Sequence, residues 1–157
     1  MSEDSLKRSF GSIWWRFLEF EISRSRMMTE LTGNMASALI LQVVAYHNLT
    51  LVQSAVESDA YNDIRSEWEL TDRTTGDDLP RKLSFAAISD ITRTDKETVR
   101  RFVKKLEEQG WVTVDKKNGI NYSPSKLNQE TLLMFNEWEV TNLGRLLKRL
   151  GDAKRSG

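Results

Sequence analysis

The sequence predicts a mainly α-helical protein in which a helix, a turn, a second helix and a β-hairpin lie between longer N- and C-terminal helices. Apolar residues recur at steps of three and four near both ends of the chain, as on one face of a helix. Residues 94–109 have the same period between a capping signal and a glycine. Residues 111–122 instead alternate around an Asn-Gly pair, as in a hairpin.

Length and composition limit the classes of protein to consider. A chain of 157 residues suits one compact domain, with a helical N-terminal region over 1–78, a central region over 79–127 and a C-terminal helix over 128–157. The absence of cysteine excludes disulfides and thiolate metal sites. No apolar run is long enough to span a membrane, and the polar N-terminus is unlike a signal peptide, so we expect a cytoplasmic protein.

The residues that enzymes use for chemistry do not form a recognisable set. We find no metal-ligand cluster, no phosphate-binding glycine loop and no nucleophile beside a base, so we predict neither an enzyme nor a cofactor. The single histidine, His47, falls in an apolar helix and is interpreted as structural. The sequence is compatible with a small-molecule effector, but no residue marks a site for one.

The N-terminal region reads as two helices and a weaker acidic piece. In residues 5–31 the apolar residues share one face: Phe10, Ile13, Trp14, Phe17, Leu18 and Ile22. Residues 35–57 are apolar nearly all round, which predicts a central position. The sequence leaves open whether these two helices are separate or continuous. A third helical piece is predicted around 61–70 and a loop over 71–78.

The charge distribution is uneven although the net charge is zero. Residues 81–117 contain ten Lys or Arg against six Asp or Glu, whereas residues 57–78 contain eight acidic residues against two Arg. A basic segment beside an acidic one can attract phosphates while the whole chain stays neutral. The distribution therefore favours a nucleic-acid partner for the segment around residue 100.

The segment 83–110 has the pattern of two helices joined by a tight turn. Ser84 is a suitable N-cap for a short helix that would bury its apolar residues: Phe85, Ala87, Ile88 and Ile91. The second helix would begin with a capping box from Thr94 to Glu97, or with Asp95 as the cap. It would direct four apolar residues to the core and end before Gly110: Val99, Phe102, Val103 and Leu106.

Together with the hairpin over 111–122, these helices predict a winged helix-turn-helix that binds double-stranded DNA. In such a unit the second helix enters the major groove, where Arg, Lys and Glu can bond base edges. Lysines at the hairpin tip would lie on the DNA backbone. The predicted DNA-binding residues are Ser84, Arg93, Lys96, Glu97, Thr98, Arg100, Arg101, Lys104, Lys105, Lys116 and Lys117.

The run Asp95-Lys-Glu-Thr-Val-Arg-Arg-Phe-Val-Lys-Lys-Leu-Glu-Glu-Gln-Gly resembles the recognition helix of bacterial winged-helix transcriptional regulators. It is similar to the catabolite activator/FNR group, whose helix reads Ser-Arg-Glu-Thr-Val-x-Arg-x-Leu-x-x-Leu-Glu-x-x-Gly. The resemblance implies base contacts by Lys96, Glu97 and Arg101. Lys96 departs from the arginine of that pattern, and a lysine makes no bidentate contact.

The outline of the whole chain resembles a second group, the MarR-type regulators, in which terminal helices surround a winged helix. That likeness implies a homodimer held by the N- and C-terminal helices. In the closing helix Asn128 is a plausible cap and Gly144 is expected to interrupt the helix. Two alternatives remain open for the whole chain: a winged-helix module for protein–protein interaction, with the acidic segment 57–78 as a docking or self-masking surface, and a replication or partition control protein. For Glu97 alone, the alternative to a base contact is that it only completes a capping box.

Overall fold

The computed structural model describes residues 3–55 and 82–155 of the chain. This part is mainly helical, as predicted, with five helices and one two-stranded antiparallel sheet. The elements are α1 (Glu3–Thr32), α2 (Met35–Ala55), α3 (Phe85–Thr92), α4 (Lys96–Glu108), β1 (Val112–Asp115), β2 (Gly119–Tyr122) and α5 (Lys126–Arg155). The acidic piece predicted around 61–70 and the loop predicted over 71–78 lie outside the described residues.

Helices α1 and α2 are separate, which answers the question that the sequence left open. Gly33 adopts a left-handed φ of 89° directly after α1, a conformation that glycine adopts without steric cost. The Asn34 side chain then accepts a hydrogen bond from the Ser37 backbone N–H at 2.8 Å and caps α2. Gly33 therefore ends α1, and Asn34 caps the start of α2.

The core lies where α2, α4 and the hairpin meet. Its fully buried side chains include Ile40 and Val44 of α2, Val103 of α4 and Ile120 of β2. Asn48 of α2 also joins the hairpin, because its side-chain oxygen accepts from the Tyr122 backbone N–H at 3.2 Å. Burial, aided by the negative charge of Glu139, raises the pKa of the Tyr122 phenol above its usual range.

The prediction that α2 is central holds for one side of the helix only. Its other side exposes Met35, Leu39 and Tyr46, and Tyr46 is 74% exposed. These three residues lie within 40° of one another on a helix that turns 100° per residue. The apolar residues all round α2 predicted burial on every side, but no other described element covers the side that carries Met35, Leu39 and Tyr46.

Helix α5 is continuous, and two details of its prediction are wrong. Gly144 does not interrupt it: the helix runs from Lys126 to Arg155, and a Cβ built at Gly144 would meet nothing within 4 Å. Asn128 is not its cap, because the Ser125 hydroxyl accepts from the Asn128 backbone N–H at 3.3 Å. The Asn128 amide instead donates to the backbone oxygens of Gln109 and Gly110, both at 2.9 Å, which ties α5 to the end of α4.

Helices α1 and α5 pack against each other in antiparallel directions. Phe20 stacks on Trp138 with ring centroids 5.6 Å apart, and the Arg24 Nε donates to Glu139 at 2.6 Å. Phe20 lies outside the apolar stripe that the sequence predicted for α1. That stripe does share one face, but five of its six residues are exposed, all except Ile13. The side of α1 that packs within the chain is thus different from the predicted stripe.

No described helix is both long enough and apolar enough to cross a membrane.

Candidate nucleic-acid interface

Helix α3 begins at the predicted cap and ends in a left-handed turn residue. The Ser84 hydroxyl accepts from the Ala87 backbone N–H at 3.1 Å. Ile88 is buried and Phe85 and Ala87 are half-buried, but Ile91, which was predicted to be buried, is 62% exposed because it faces away from α2 and α4. Arg93 adopts a φ of 55° and a ψ of 30° after the helix, so its exposed side chain lies at the bend between α3 and α4.

The cap of α4 is Asp95, one of the two alternatives that the sequence allowed. Its carboxylate accepts from the Thr98 backbone N–H at 2.9 Å. The hydrogen bonds from the Thr98 side chain and backbone hold the pKa of Asp95 below its usual range. Since Asp95 occupies the capping position, Thr94 and Glu97 form no capping box. The Glu97 carboxylate is instead exposed and lies 3.6 Å from the Arg100 guanidinium.

The two faces of α4 differ sharply in chemistry. Val99, Val103 and Leu106 have no exposed surface, and Phe102 is half-buried at the edge of the same face. The opposite face is exposed and carries most of the basic residues predicted to contact DNA: Lys96, Arg100, Arg101, Lys104 and Lys105. Thr98, also predicted as a contact, is half-buried beside the Asp95 cap.

Aromatic rings lie under the two arginines of this face. The Arg100 guanidinium carbon is 5.6 Å from the centroid of the Phe85 ring, and that of Arg101 is 5.2 Å from the Phe102 ring. Cation–π contacts of this length stabilise the arginine position without using its N–H donors. The Arg101 guanidinium therefore rests on the Phe102 ring and keeps its N–H groups exposed to solvent.

The hairpin lies where it was predicted, but the Asn-Gly pair is not at its tip, because Asn118 ends the turn and Gly119 is the first residue of β2. Its antiparallel register pairs Val112 with Tyr122 and Asp115 with Gly119. In the turn the Asp115 carboxylate accepts from the Asn118 backbone N–H. The exposed Lys116 and Lys117 are the two central residues of this turn, so the structure places both predicted lysines at the tip.

Gly119 has two reasons to be glycine. Its φ is 75°, in the left-handed region, and a Cβ at this position would lie 2.6 Å from the Leu83 carbonyl oxygen. That carbonyl accepts from the Ile120 backbone N–H at 3.0 Å, and Leu83 forms an isolated parallel bridge with Gly119. Leu83, which precedes the Ser84 cap of α3, is thereby attached to the second strand of the hairpin.

Two further side chains, which the sequence did not mark, fix the hairpin relative to the helices. The Lys82 ammonium donates to the Lys116 backbone oxygen at 2.8 Å, and Glu107 of α4 accepts from the Val114 backbone N–H at 3.0 Å. Both residues belong to the basic segment 81–117, but spacing alone could not reveal contacts 34 and 7 residues along the chain.

Helix α4 ends as predicted. Gly110 has a φ of 75°, its N–H donates to Glu107 O at 3.0 Å and the Trp111 N–H donates to Leu106 O at 2.9 Å. This pair of bonds is the Schellman arrangement. It redirects the chain so that the buried Trp111 enters the core at the start of the hairpin.

The structure places the predicted contacts in four places: Ser84 at the start of α3, Arg93 at the bend between α3 and α4, the face of α4 that carries the basic residues, and the hairpin tip. Within the same residues there is no group of three or more His, Cys, Asp and Glu side chains that could hold a metal ion. Comparisons with protein families, with curated proteins and with solved structures find no match to this chain.

Proposed function

We propose that this protein is a DNA-binding transcriptional regulator and that residues 83–122 act as a winged helix-turn-helix. The observation that carries the proposal is the exposed basic face of α4, which follows a capped N-terminus and lies opposite a fully buried apolar face. A helix of this kind presents cations to phosphates and base edges while its other side fixes its position.

The attachment of the hairpin supports its assignment as the wing. A free hairpin of two short strands is only marginally stable in water. Here the Leu83–Gly119 bridge, the Lys82 contact and the Glu107 contact hold it beside α4. Lys116 and Lys117 then lie at a tip whose position relative to α4 is fixed, which suits contact with the backbone next to the groove.

Different residues have different proposed roles. Lys96, Glu97 and Arg101 lie within the first two turns of α4, where helices of this type contact base edges. Glu97 takes no part in capping, so its carboxylate is available to accept from cytosine N4. The remaining predicted contacts would bind phosphates: Ser84, Arg93, Thr98, Arg100, Lys104, Lys105, Lys116 and Lys117.

We further propose that the protein acts as a homodimer through its N- and C-terminal helices. Exposed aromatic residues on α1 and exposed aliphatic residues on α5 support this, because soluble monomers rarely expose large apolar patches. The first group is Phe10, Trp14, Trp15 and Phe17, and the second is Val140, Leu143 and Leu147. A two-fold dimer would place two α4 helices in successive major grooves, about 34–36 Å apart.

Selection of bound sequences from a random duplex pool tests the proposal. We expect a pseudo-palindromic site with half-sites separated by one helical turn or a multiple of it. Binding to random duplex should also weaken steeply with salt, because bound phosphates release counterions. The matched control is Arg26→Ala, which removes an exposed arginine from α1 and should leave binding unchanged. Absence of salt-dependent binding to any duplex would exclude the function.

A further inference from the structure

A groove of about 860 Å³ lies between the N-terminal half of α1 and the C-terminal half of α5. Its walls extend from Ser9 to Ser23 on α1 and from Trp138 to Asp152 on α5. The volume is within the range of about 300–1,000 Å³ that small-molecule sites occupy. Neither the DNA interface nor the exposed apolar residues of the proposed dimer include it.

The groove and the exposed apolar stripe of α1 occupy different sides of the helix. At 100° per residue, the groove residues Ser9, Ser12 and Arg16 fall within about 60° of one another. Phe10 and Trp14 of the stripe lie about 100° or more from the middle of that group. A partner subunit bound on the stripe would therefore leave the groove accessible.

The rim of the groove is positively charged. Four cationic side chains line it, against the two carboxylates of Glu19 and Asp152: Arg16, Arg145, Lys148 and Arg149. The excess of cations in a concave site favours an anion, because the low-dielectric walls concentrate the field.

Arg16 provides the most specific indication. Its Nη1 lies 2.9 Å from the Glu19 carboxylate, and its guanidinium carbon lies 4.2 Å from the centroid of the Trp15 ring. Its Nε is buried, however, and it is the one buried side-chain nitrogen or oxygen without a hydrogen-bond partner among the described residues. An unpaired buried N–H costs free energy, and a small shift of the part-exposed Arg16 side chain towards an acceptor bound in the groove would remove that cost.

The floor of the groove is apolar. It is formed by Ile13 and Phe20 of α1 and by Trp138 and Leu146 of α5. Trp138 stacks on Phe20 with an angle of 10° between the rings, so the two side chains hold each other in place across the two helices. Such a surface favours the hydrocarbon part of a ligand, because burial removes apolar area from water.

We propose that this groove binds an organic anion with an apolar body, such as a medium-chain carboxylate. The carboxylate accepts from the Arg16 Nε and lies near the cations of α5, while the chain lies on the Phe20 and Trp138 rings. A small inorganic anion would leave the apolar floor wet, and a neutral hydrocarbon would leave the Arg16 Nε without an acceptor.

The test is a calorimetric titration of the full chain with decanoate. The decanoate concentration stays below the value at which micelles form. Decanol and acetate, which each lack one half of the proposed ligand, should bind at least about tenfold more weakly, as expected when a charged hydrogen bond or the buried chain is lost. Arg16→Gln should weaken decanoate binding about tenfold or more, and Arg26→Gln on the same helix should leave it unchanged.

A spectroscopic measurement locates the binding site independently. In spectra of the indole N–H groups, the Trp138 resonance, assigned with Trp138→Phe, should shift as decanoate is added. The resonance of Trp14 should not, because its side chain is exposed outside the groove. A shift at Trp14 without one at Trp138 would mean that decanoate binds the apolar stripe, which would overturn the proposal.

Arg145→Gln is a second variant for the case in which Arg16→Gln does not fold. Arg145 lines the groove and is exposed, so its replacement should not disturb the fold. Equal affinity of the wild-type protein and this variant for decanoate would contradict the proposed anion site, as would equal affinity for decanoate and decanol. The measurements contain no DNA, so they can fail while the proposed function stands, and the reverse is also true.

Discussion

The start of α4 has two carboxylates with different surroundings: Asp95 caps the helix, whereas Glu97 is exposed and lies beside Arg100. Asp95 and Glu97 are two residues apart, and from the sequence either could have served the helix N-terminus. The backbone of Asp95, at a φ of −61° and a ψ of 148°, is extended, so its side chain reaches the Thr98 N–H. Thr94 and Asp95 both offer an oxygen near the N-terminus, and side-chain spacing could not distinguish them.

Replacement of Asp95 tests this division of roles. Asp95→Ala should lower the melting temperature by about 2–4 °C, the usual effect of a lost cap in a domain of this size. Asp95→Asn should keep most of the stability, because asparagine is an equally good cap. Thermal unfolding followed by circular dichroism makes the comparison. Equal melting temperatures for the alanine variant and the wild type would contradict the capping role.

The same residue gives a pH dependence whose sign follows from its lowered pKa. The folded state binds the Asp95 proton less tightly than the unfolded state, so the stability from this group is present above its ordinary pKa of 3.8. It is lost as the pH falls through the lower pKa of the folded state. Denaturant titrations from pH 7 to pH 2 should show this loss in the wild type and a smaller one in Asp95→Asn.

Arg101 is the residue whose replacement should change sequence preference. Arg101→Ala should cost about 1–3 kcal/mol on the selected site, as for a bidentate base contact, and should relax the preference at one base pair. Lys104→Ala is the matched control on the same face of α4 and should weaken all sequences nearly equally. Competition binding with the selected and substituted duplexes gives both values. Uniform weakening by Arg101→Ala would assign that arginine to a phosphate.

At the scale of elements, local patterns predicted α3, α4 and the hairpin because each carries its own signals. The caps, the 3.6-residue period and the turn residues between the two strands all act within a few residues. The sequence failed to predict features in which burial or pairing depends on residues that are distant in the chain. Ile91 has the spacing of a buried residue but none of the described elements covers it, and the Leu83–Gly119 bridge joins residues 36 positions apart.

The hairpin anchor can be tested at Gly119. Gly119→Ala must place a Cβ against the Leu83 carbonyl and hold a non-glycine residue at a φ of 75°, so it should destabilise the fold by about 1–3 kcal/mol. Gly144→Ala on α5, where a Cβ meets nothing, should instead be neutral or stabilising by about 0.5–1 kcal/mol. Urea titrations of the two variants measure both changes. A neutral Gly119→Ala would contradict the bridge.

The wing lysines should contribute to affinity without contributing to specificity. Lys116→Ala should reduce the slope of log affinity against log salt by about 1, because one fewer phosphate is neutralised. The ranking of selected duplexes should stay the same. Filter binding at several salt concentrations measures the slope, and an unchanged slope would remove the hairpin tip from the DNA.

At the scale of the whole molecule, the sequence predicted which residues of α1 share a face but not which face packs within the chain. Periodicity identifies an apolar stripe, whereas the partner of that stripe depends on the arrangement of all helices. Phe20 and Arg24, outside the stripe, make the contacts with α5, while Ile22 of the stripe is 66% exposed. The mixed face of α1 packs against α5, and no described element covers the exposed apolar residues.

The proposed dimer depends on that exposed face. Trp14→Glu combined with Leu143→Glu should convert the dimer to monomer, because charges would replace apolar surface on both helices. Tyr46→Glu, which alters an exposed aromatic of α2, is the control and should leave the dimer intact. Sedimentation equilibrium gives the molecular mass directly. A wild-type protein that is monomeric at high concentration would refute the dimer.

The attachment of β2 to Leu83 has a consequence for how the hairpin tolerates insertions. Because Gly119 and Ile120 are held by the backbone before α3, residues added between Asp115 and Gly119 would lengthen the tip and leave its base where it is. Exposed turns accept such additions at small entropic cost. The tip can therefore change in length and charge, and so in the reach proposed for it along a duplex, independently of the helix that we propose to read the bases.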